Sequence, residues 1–314
     1  MLVQVKQQFK QQVKQMHQPR ERRQQGVALI MVLWMIMVMM TMTATLLYAV
    51  KTETQMVSYA RESAQARAFA DAAAHYAVMQ LFLPPDKSQI KVGGGAAVWV
   101  YQGYEAEIRA VGENGLIDIN RASRELLQRV LKAVGVEGEP AEILLDAIED
   151  FRDPDDLKRL HGAEDPDYKS EGLEYGAKDA PFERIEELQQ VIGITPALYS
   201  ALERYLSVNS HSGGINPKLA PRHLLLLLAD GDEAAVDEYI RQRDEVPGQW
   251  VQPPFGQGLV DSTEQPLYRL QVKVKAQGSP HAYFEERAIR LLPGRNPPFI
   301  TYFRAQQPVS AQFE

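Results

Sequence analysis

The stretch that decides the fold is VALIMVLWMIMVMMTMTATLLYAV, Val27 to Val50. These 24 residues contain no charge, no glycine and no proline. An apolar helix of about 20 residues crosses the hydrocarbon core of a bilayer, so the run reads as a membrane span rather than a buried core helix. A secretory signal peptide has a shorter apolar region, about 7–15 residues, and ends at a small-residue cleavage site. Here the small residue, Gly26, comes before the apolar run. Residues 1–26 carry Lys6, Lys10, Lys14, Arg20, Arg22 and Arg23 against Glu21. That basic flank predicts a single-pass protein with residues 1–26 in the cytoplasm and everything after Lys51 outside.

Helical character is expected to continue past the span. No glycine or proline occurs from Val27 to Leu83, the residues around Ala60–Ala77 are alanine-rich, and Pro84-Pro85 ends the run. The whole chain has 314 residues, 45% apolar and 24% charged, which suits one large or two modest folded domains and excludes disorder as the dominant state. The absence of cysteine excludes disulfides, thiolate zinc sites and a cysteine nucleophile. Beyond residue 26 the chain holds 28 basic against 40 acidic side chains, a balance of −12.

Past the helix, Gly93-Gly94-Gly95 is a turn and not a phosphate loop, because no Lys-Ser/Thr follows. Alternation predicts strands over 97–101 and 104–111, an extended piece at 116–119, and C-terminal strands over 267–276 and 282–292. Between them the texture is helical: a helix after Ser123 as N-cap, then 140–151, 184–191, 196–207, 221–229 and 233–243. Ile117–Leu127 aligns with Ile215–Leu225 at an offset of 98 residues, with five of eleven positions identical, which predicts two similar helical units in tandem. These units resemble helix-hairpin-helix modules, which often bind DNA. Glu113 to Glu245 holds 29 acidic and 15 basic residues, however, and phosphate binding uses clustered Lys and Arg. No nucleic-acid partner is expected.

Several signals together resemble one family. Arg22-Arg23-Gln24-Gln25-Gly26 followed by Val27-Ala28-Leu29-Ile30 resembles the leader of type IV pilins and pseudopilins. The order Ala147–Asp156, Gly162–Asp165, Asp167-Tyr168, Ala180-Pro181-Phe182, Ile185–Leu188 and Val191–Ile194 is similar to the inserted helical domain of K-type minor pseudopilins of type II secretion systems. Phe151 stands where that family tends to have Trp, and Lys218-Leu219 replace an Asn-Thr-like pair.

The resemblance implies an α+β, pilin-like fold: a long N-terminal helix on a small antiparallel sheet, interrupted by an inserted all-α domain with two helix-hairpin-helix or SAM-like repeats. The expected layout is a leader at 1–26, the helix at 27–83 with its span at 27–50, sheet segments at 84–119 and 256–314, and the insertion at 120–255. The repeats lie near 117–127 and 215–225. Prepilin peptidase is expected to cut after Gly26 and to methylate Val27. The fifth mature residue is Met31, where most pseudopilins carry Glu. A subunit lacking that carboxylate loses one contact with a neighbour, as at a filament tip. The implied partners are I-type and J-type minor pseudopilins, the peptidase and the inner membrane, with the C-terminal part in the periplasm.

No catalytic constellation emerges: the six histidines are scattered, and neither H-E-x-x-H nor G-x-S-x-G occurs. No cofactor is required. One acidic loop is a candidate for Ca²⁺, which takes about 6–8 oxygen ligands. Its candidate ligands are Asp150, Asp153, Asp155, Asp156, Glu164 and Asp165. Arg152, Lys158 and Arg159 are the alternative means of offsetting their repulsion. A different class of function also fits: a signal-anchored periplasmic binding protein whose helical modules hold a ligand.

Overall fold

A computed structural model describes residues 25–279 and 281–306, so residues 1–24 of the expected leader lie outside the described residues. The chain divides into two compact units, one ending at Ala64 and one beginning at Gln65. Helix α1 spans Gln25–Leu81. In the first unit its apolar side chains face outward: an 18-residue window reaches a mean hydropathy of 2.3, with none of it buried. The hydroxyls of Thr41, Thr43 and Thr45 donate to carbonyls one turn back, at 2.8 Å each. Within a span this satisfies groups that find no water in hydrocarbon. The helix stops two residues before the expected Leu83; the N–H groups of Phe82 and Leu83 close the last turn on Val78 and Gln80, and Pro84 follows.

The second unit is an α+β domain. Strands β1 (Ala97–Tyr101) and β2 (Tyr104–Gly112) form a hairpin. Strands β5 (Leu267–Ala276), β6 (Ala282–Leu291) and β7 (Phe299–Gln306) complete a five-stranded antiparallel sheet in the order β1-β2-β5-β6-β7. Ala70, Ala73, Ala74 and Ala77 of α1 are buried with Ile108, Leu270, Val272, Val274 and Ile289 in one core. Small side chains on this stripe let the helix backbone lie close to the sheet. Charge then fixes it: Asp71 pairs with Arg287 and, at 3.0 Å, with Arg304, while Glu285 pairs with both arginines.

β2 and β5 are neighbours, Gly112 lying opposite Tyr268, yet residues 113–266 intervene. The excursion leaves and returns at one point. Asn114 accepts the N–H of Gln265 at 3.0 Å, donates to Ser210 O at 2.9 Å and accepts the N–H of Asn216 on its own carbonyl at 2.7 Å. Glu113 is fully buried, accepts from the Ser207 hydroxyl and lies 3.6 Å from Arg269 of β5.

The excursion is mainly helical and has its own core. Its helices are α2 (Arg124–Ala133), α3 (Glu139–Arg152), α4 (Asp165–Ser170), α5 (Pro196–Leu202), α6 (Arg222–Leu228) and α7 (Glu233–Glu245). Ser123 caps α2 as expected, accepting the N–H of Leu126 at 3.3 Å. Three expectations need correction. The 116–119 segment does not join the large sheet: β3 (Ile117–Asp118) pairs in parallel with β4 (Leu206–Ser207) inside the helical part. The helix expected over 196–207 therefore ends at Leu202, because the chain must straighten to reach β3. The turn over Ile185–Gln190 is a 3-10 helix.

Candidate functional site

At the expected processing site, Gly26 lies within α1, Val27 is 53% exposed and Met31 is 67% exposed.

The acidic loop is built on the C-terminus of α3. Asp150 is fully buried, accepting from the Arg159 backbone N–H at 3.1 Å and from its guanidinium at 2.6 Å. Asp153 also pairs with that guanidinium, and Glu149 meets it at 2.9 Å. Of the three basic groups, Arg159 alone is drawn into the carboxylates. Lys158 pairs with Asp167 at 2.6 Å, holding that carboxyl below the usual range. Arg152 is half-buried, and burial pulls its guanidinium pKa down.

Glu164 enters from the other side. It is 5% exposed, and its Oε1, like Oδ1 of Asp153, is buried without a hydrogen-bond partner. Burial pushes its pKa up to about 7, helped by repulsion from Asp150, Asp153, Asp179 and Asp156. Asp179 is likewise raised, by burial and then by Asp156, Asp165 and Asp153. Of the six expected carboxylates, Asp150, Asp153 and Asp156 are near enough to Glu164 to raise its pKa by repulsion. Asp155 instead caps the N–H of Leu157 at 2.9 Å, and exposed Asp165 pairs with Lys169 at 3.5 Å.

Asp179 was missed by the sequence reading. It lies beyond the acidic run, and the N–H groups of Lys178 and Asp179 bring it back by donating to Phe151 O at 3.1 and 3.2 Å. Its positive φ of 53° at a non-glycine residue marks a tight turn, tolerated best by Asp and Asn. Gly162 is part of the same construction: a Cβ there would overlap Oδ2 of Asp150.

The site thus concentrates negative charge, orphaned carboxylate oxygens and a bare backbone approach. In charge and donor chemistry it fits a hard cation, and the Arg159 guanidinium fills that role. Among the described residues no three His, Asp or Glu side chains are arranged as a ready metal cage.

A second concavity of about 980 Å³ lies between the outer face of the sheet and the helical part. Arg109, Arg269 and Tyr302 line it from the sheet, and Tyr199, Arg204 and His223 from the helical part. Burial, reinforced by Arg204 and Arg109, pulls His223 down to about 4, so its ring is neutral near pH 7.

Comparison with known proteins adds a likeness in sequence and in fold. Residues 106–211 match the model of "Type II secretion system (T2SS), protein K". Among solved structures the chain is similar to one in the crystal structure of the GspK-GspI-GspJ complex from the enterotoxigenic Escherichia coli type 2 secretion system. The likeness has a TM-score of 0.57 at 15% identity, covering 79% of this chain and 98% of that one. No curated protein sequence is matched. Long helix, antiparallel sheet and matched helical domain together make the chain similar to protein K of type II secretion systems. The match to the protein K model covers residues 106–211, about a third of the chain, and the likeness at 15% identity is one of fold.

Proposed function

We propose that this protein caps the tip of the type II secretion pseudopilus and supports its assembly for the export of folded proteins across the outer membrane. The observation that carries the reading is the helical excursion between β2 and β5, whose residues 113–211 fall within the stretch matching protein K. An insertion of that bulk leaves no room for a further subunit above it, and Met31 removes one axial contact. The protein is a structural subunit rather than an enzyme. Prepilin peptidase cuts after Gly26 and methylates Val27. Residues 27–50 then hold the chain in the inner membrane, with its acidic bulk in the periplasm. Its partners are I-type and J-type minor pseudopilins, in keeping with the complex that contains the similar chain.

The helical part is read as two related units. Two features at the offset of 98 residues support this. Arg124 and Arg222 each begin a helix and pair with carboxylates of the next one, Arg124 with Glu142 and Asp146 at 2.7 Å and Arg222 with Asp237 at 2.9 Å. Asp118 and Asn216 each accept the N–H two residues on, at 2.8 and 3.0 Å. The acidic loop is proposed to take Ca²⁺ in place of the Arg159 guanidinium. Asp150, Asp153, Asp156, Glu164 and Asp179 would supply oxygens, and the ion would relieve their repulsion.

Gly26→Val tests the placement. The leader should remain attached and secretion should stop. Co-purification of the chain with I-type and J-type pseudopilins is the second test. Absence of every pairwise and ternary association would overturn the tip assignment. The reading as a signal-anchored binding protein draws on the 980 Å³ concavity and predicts normal mobility and phenotype for Gly26→Val.

A further inference from the structure

The concavity between sheet and helical part departs from the charge of the chain around it. Among the described residues seven arginines and six carboxylates line it, whereas the chain beyond residue 26 holds 28 basic against 40 acidic side chains. Such a lining favours an anion over a cation. Several of these arginines are already matched. Arg269 lies 3.6 Å from Glu113 and 3.7 Å from Glu286, Arg222 meets Asp237 at 2.9 Å, and Arg304 meets Glu285 at 2.8 Å. Arg204 differs: its guanidinium donates to the Tyr205 hydroxyl at 3.1 Å and lies 5.0 Å from the centre of that ring, both neutral partners. Arg109, on β2, stands opposite Gln271 of β5. Arg204 and Arg109 both add to burial in opposing the protonation of His223, so positive charge from the helical part and from the sheet meets at one neutral imidazole. The Nε2–H of that ring donates to Arg204 O at 3.1 Å, which fixes it in the wall.

We propose that this concavity binds a singly charged organic carboxylate, held between Arg109 and Arg204 with its apolar body against Tyr199 and Tyr302. The planar fork of a guanidinium matches a carboxylate in two parallel hydrogen bonds. A doubly charged phosphate fits less well, because Glu113, Glu203 and Glu286 stand in the same walls and repel the second charge. The rings of Tyr199 and Tyr302, with Leu226 and Ile240, supply apolar contact for the rest of the molecule. A volume of about 980 Å³ suits a small organic ligand, whose pockets span about 300–1,000 Å³. Such a carboxylate occurs on a free aromatic acid and at the C-terminus of a peptide. The site does not depend on the tip role, which Gly26→Val tests on its own.

The test is calorimetric titration of the full chain in nanodiscs. The probes are N-acetylphenylalanine, the peptide acetyl-Ala-Ala-Phe with a free C-terminus, the amides of both, and inorganic phosphate. At least one acid should bind, and its amide and phosphate should each bind about tenfold or more weakly. Arg204→Gln and Arg109→Gln should each weaken the acid by about tenfold or more and leave the amide unchanged. Arg204 is exposed, so its substitution does not threaten the fold. Arg109 is half-buried; if Arg109→Gln lowers the melting temperature, Arg109→Lys replaces it and should weaken the acid in the same direction. Tighter binding of the peptide assigns the site to a chain end, and tighter binding of the amino acid assigns it to a free acid. The proposal is overturned if neither acid binds at about 10 mM. It is also overturned if acid and amide bind alike, if phosphate binds as tightly as the acid, or if the Arg204 substitution leaves the affinity unchanged.

Discussion

The side-chain oxygen of Asn114 accepts the backbone N–H of Gln265 at 3.0 Å, so the chain leaves the sheet and rejoins it one hydrogen bond apart. The amide of the same side chain holds Ser210 O. Asn114 is 1% exposed, which leaves no water to replace either bond. Asn114→Ala should therefore destabilise the purified protein by about 2–3 kcal/mol, since each orphaned buried group costs about 1–3 kcal/mol. Urea unfolding in detergent reads this directly; a loss below about 0.5 kcal/mol would mean that the junction is held elsewhere.

Gly162 lies against Asp150, and a methyl group there has no space. Asp150 cannot retreat without breaking its bonds to Arg159. Gly162→Ala should cost about 1–3 kcal/mol, as overpacking does. A melting temperature equal to the wild type would show that the loop shifts freely.

Glu164 gives a dependence on pH. Its ordinary pKa of 4.5 rises to about 7 in the folded protein, so the folded state holds this proton more tightly. The associated stability is complete below about 4.5 and is lost as pH rises through about 7. Metal-free protein should thus unfold more readily at pH 8 than at pH 5, and Glu164→Gln should flatten that trend. At pH 8 the variant should be more stable by about 1 kcal/mol, a figure reduced for solvent screening. A trend unchanged by Glu164→Gln would assign it to other groups.

Calcium should act on the same carboxylates. At about a hundredfold excess over its dissociation constant, an ion bound only by the folded state stabilises it by about 2.7 kcal/mol. Melts of metal-stripped protein in EDTA and in excess Ca²⁺ should differ by several degrees, and Asp153→Ala should shrink the difference. Coincident curves would leave the Arg159 guanidinium as the cation that Asp150 and Asp153 hold.

Much of this architecture is legible in the sequence, for reasons specific to each element. The absence of glycine and proline after Val27 announces α1, and strict alternation announces β2 and β5. β7 escapes such reading. Phe299 and Ile300 are adjacent apolar residues that blur the period, and its pairing with β6 is a tertiary fact. Helix α4 has six residues and a mostly polar sequence, too short for a periodic signal. In the acidic loop the density of carboxylates is visible in the sequence. Which ones converge depends on a fold that turns Asp155 and Asp165 outward and returns Asp179 from further along the chain.

The adjacency of β2 and β5 also bears on how the sheet is closed. Strand β2 is made early, but its partner β5 lies beyond the entire helical excursion. As the chain is made, the β1–β2 hairpin lacks the partner for one edge until β5 has followed. The helices meanwhile have local partners and a core of their own. Closing so long a loop is entropically costly and slow. A helical domain already folded, with Asn114 and Gln265 side by side, shortens that search to the distance between two strand ends. The insertion thus acts as an internal clamp that brings together the two strand ends of the sheet it interrupts.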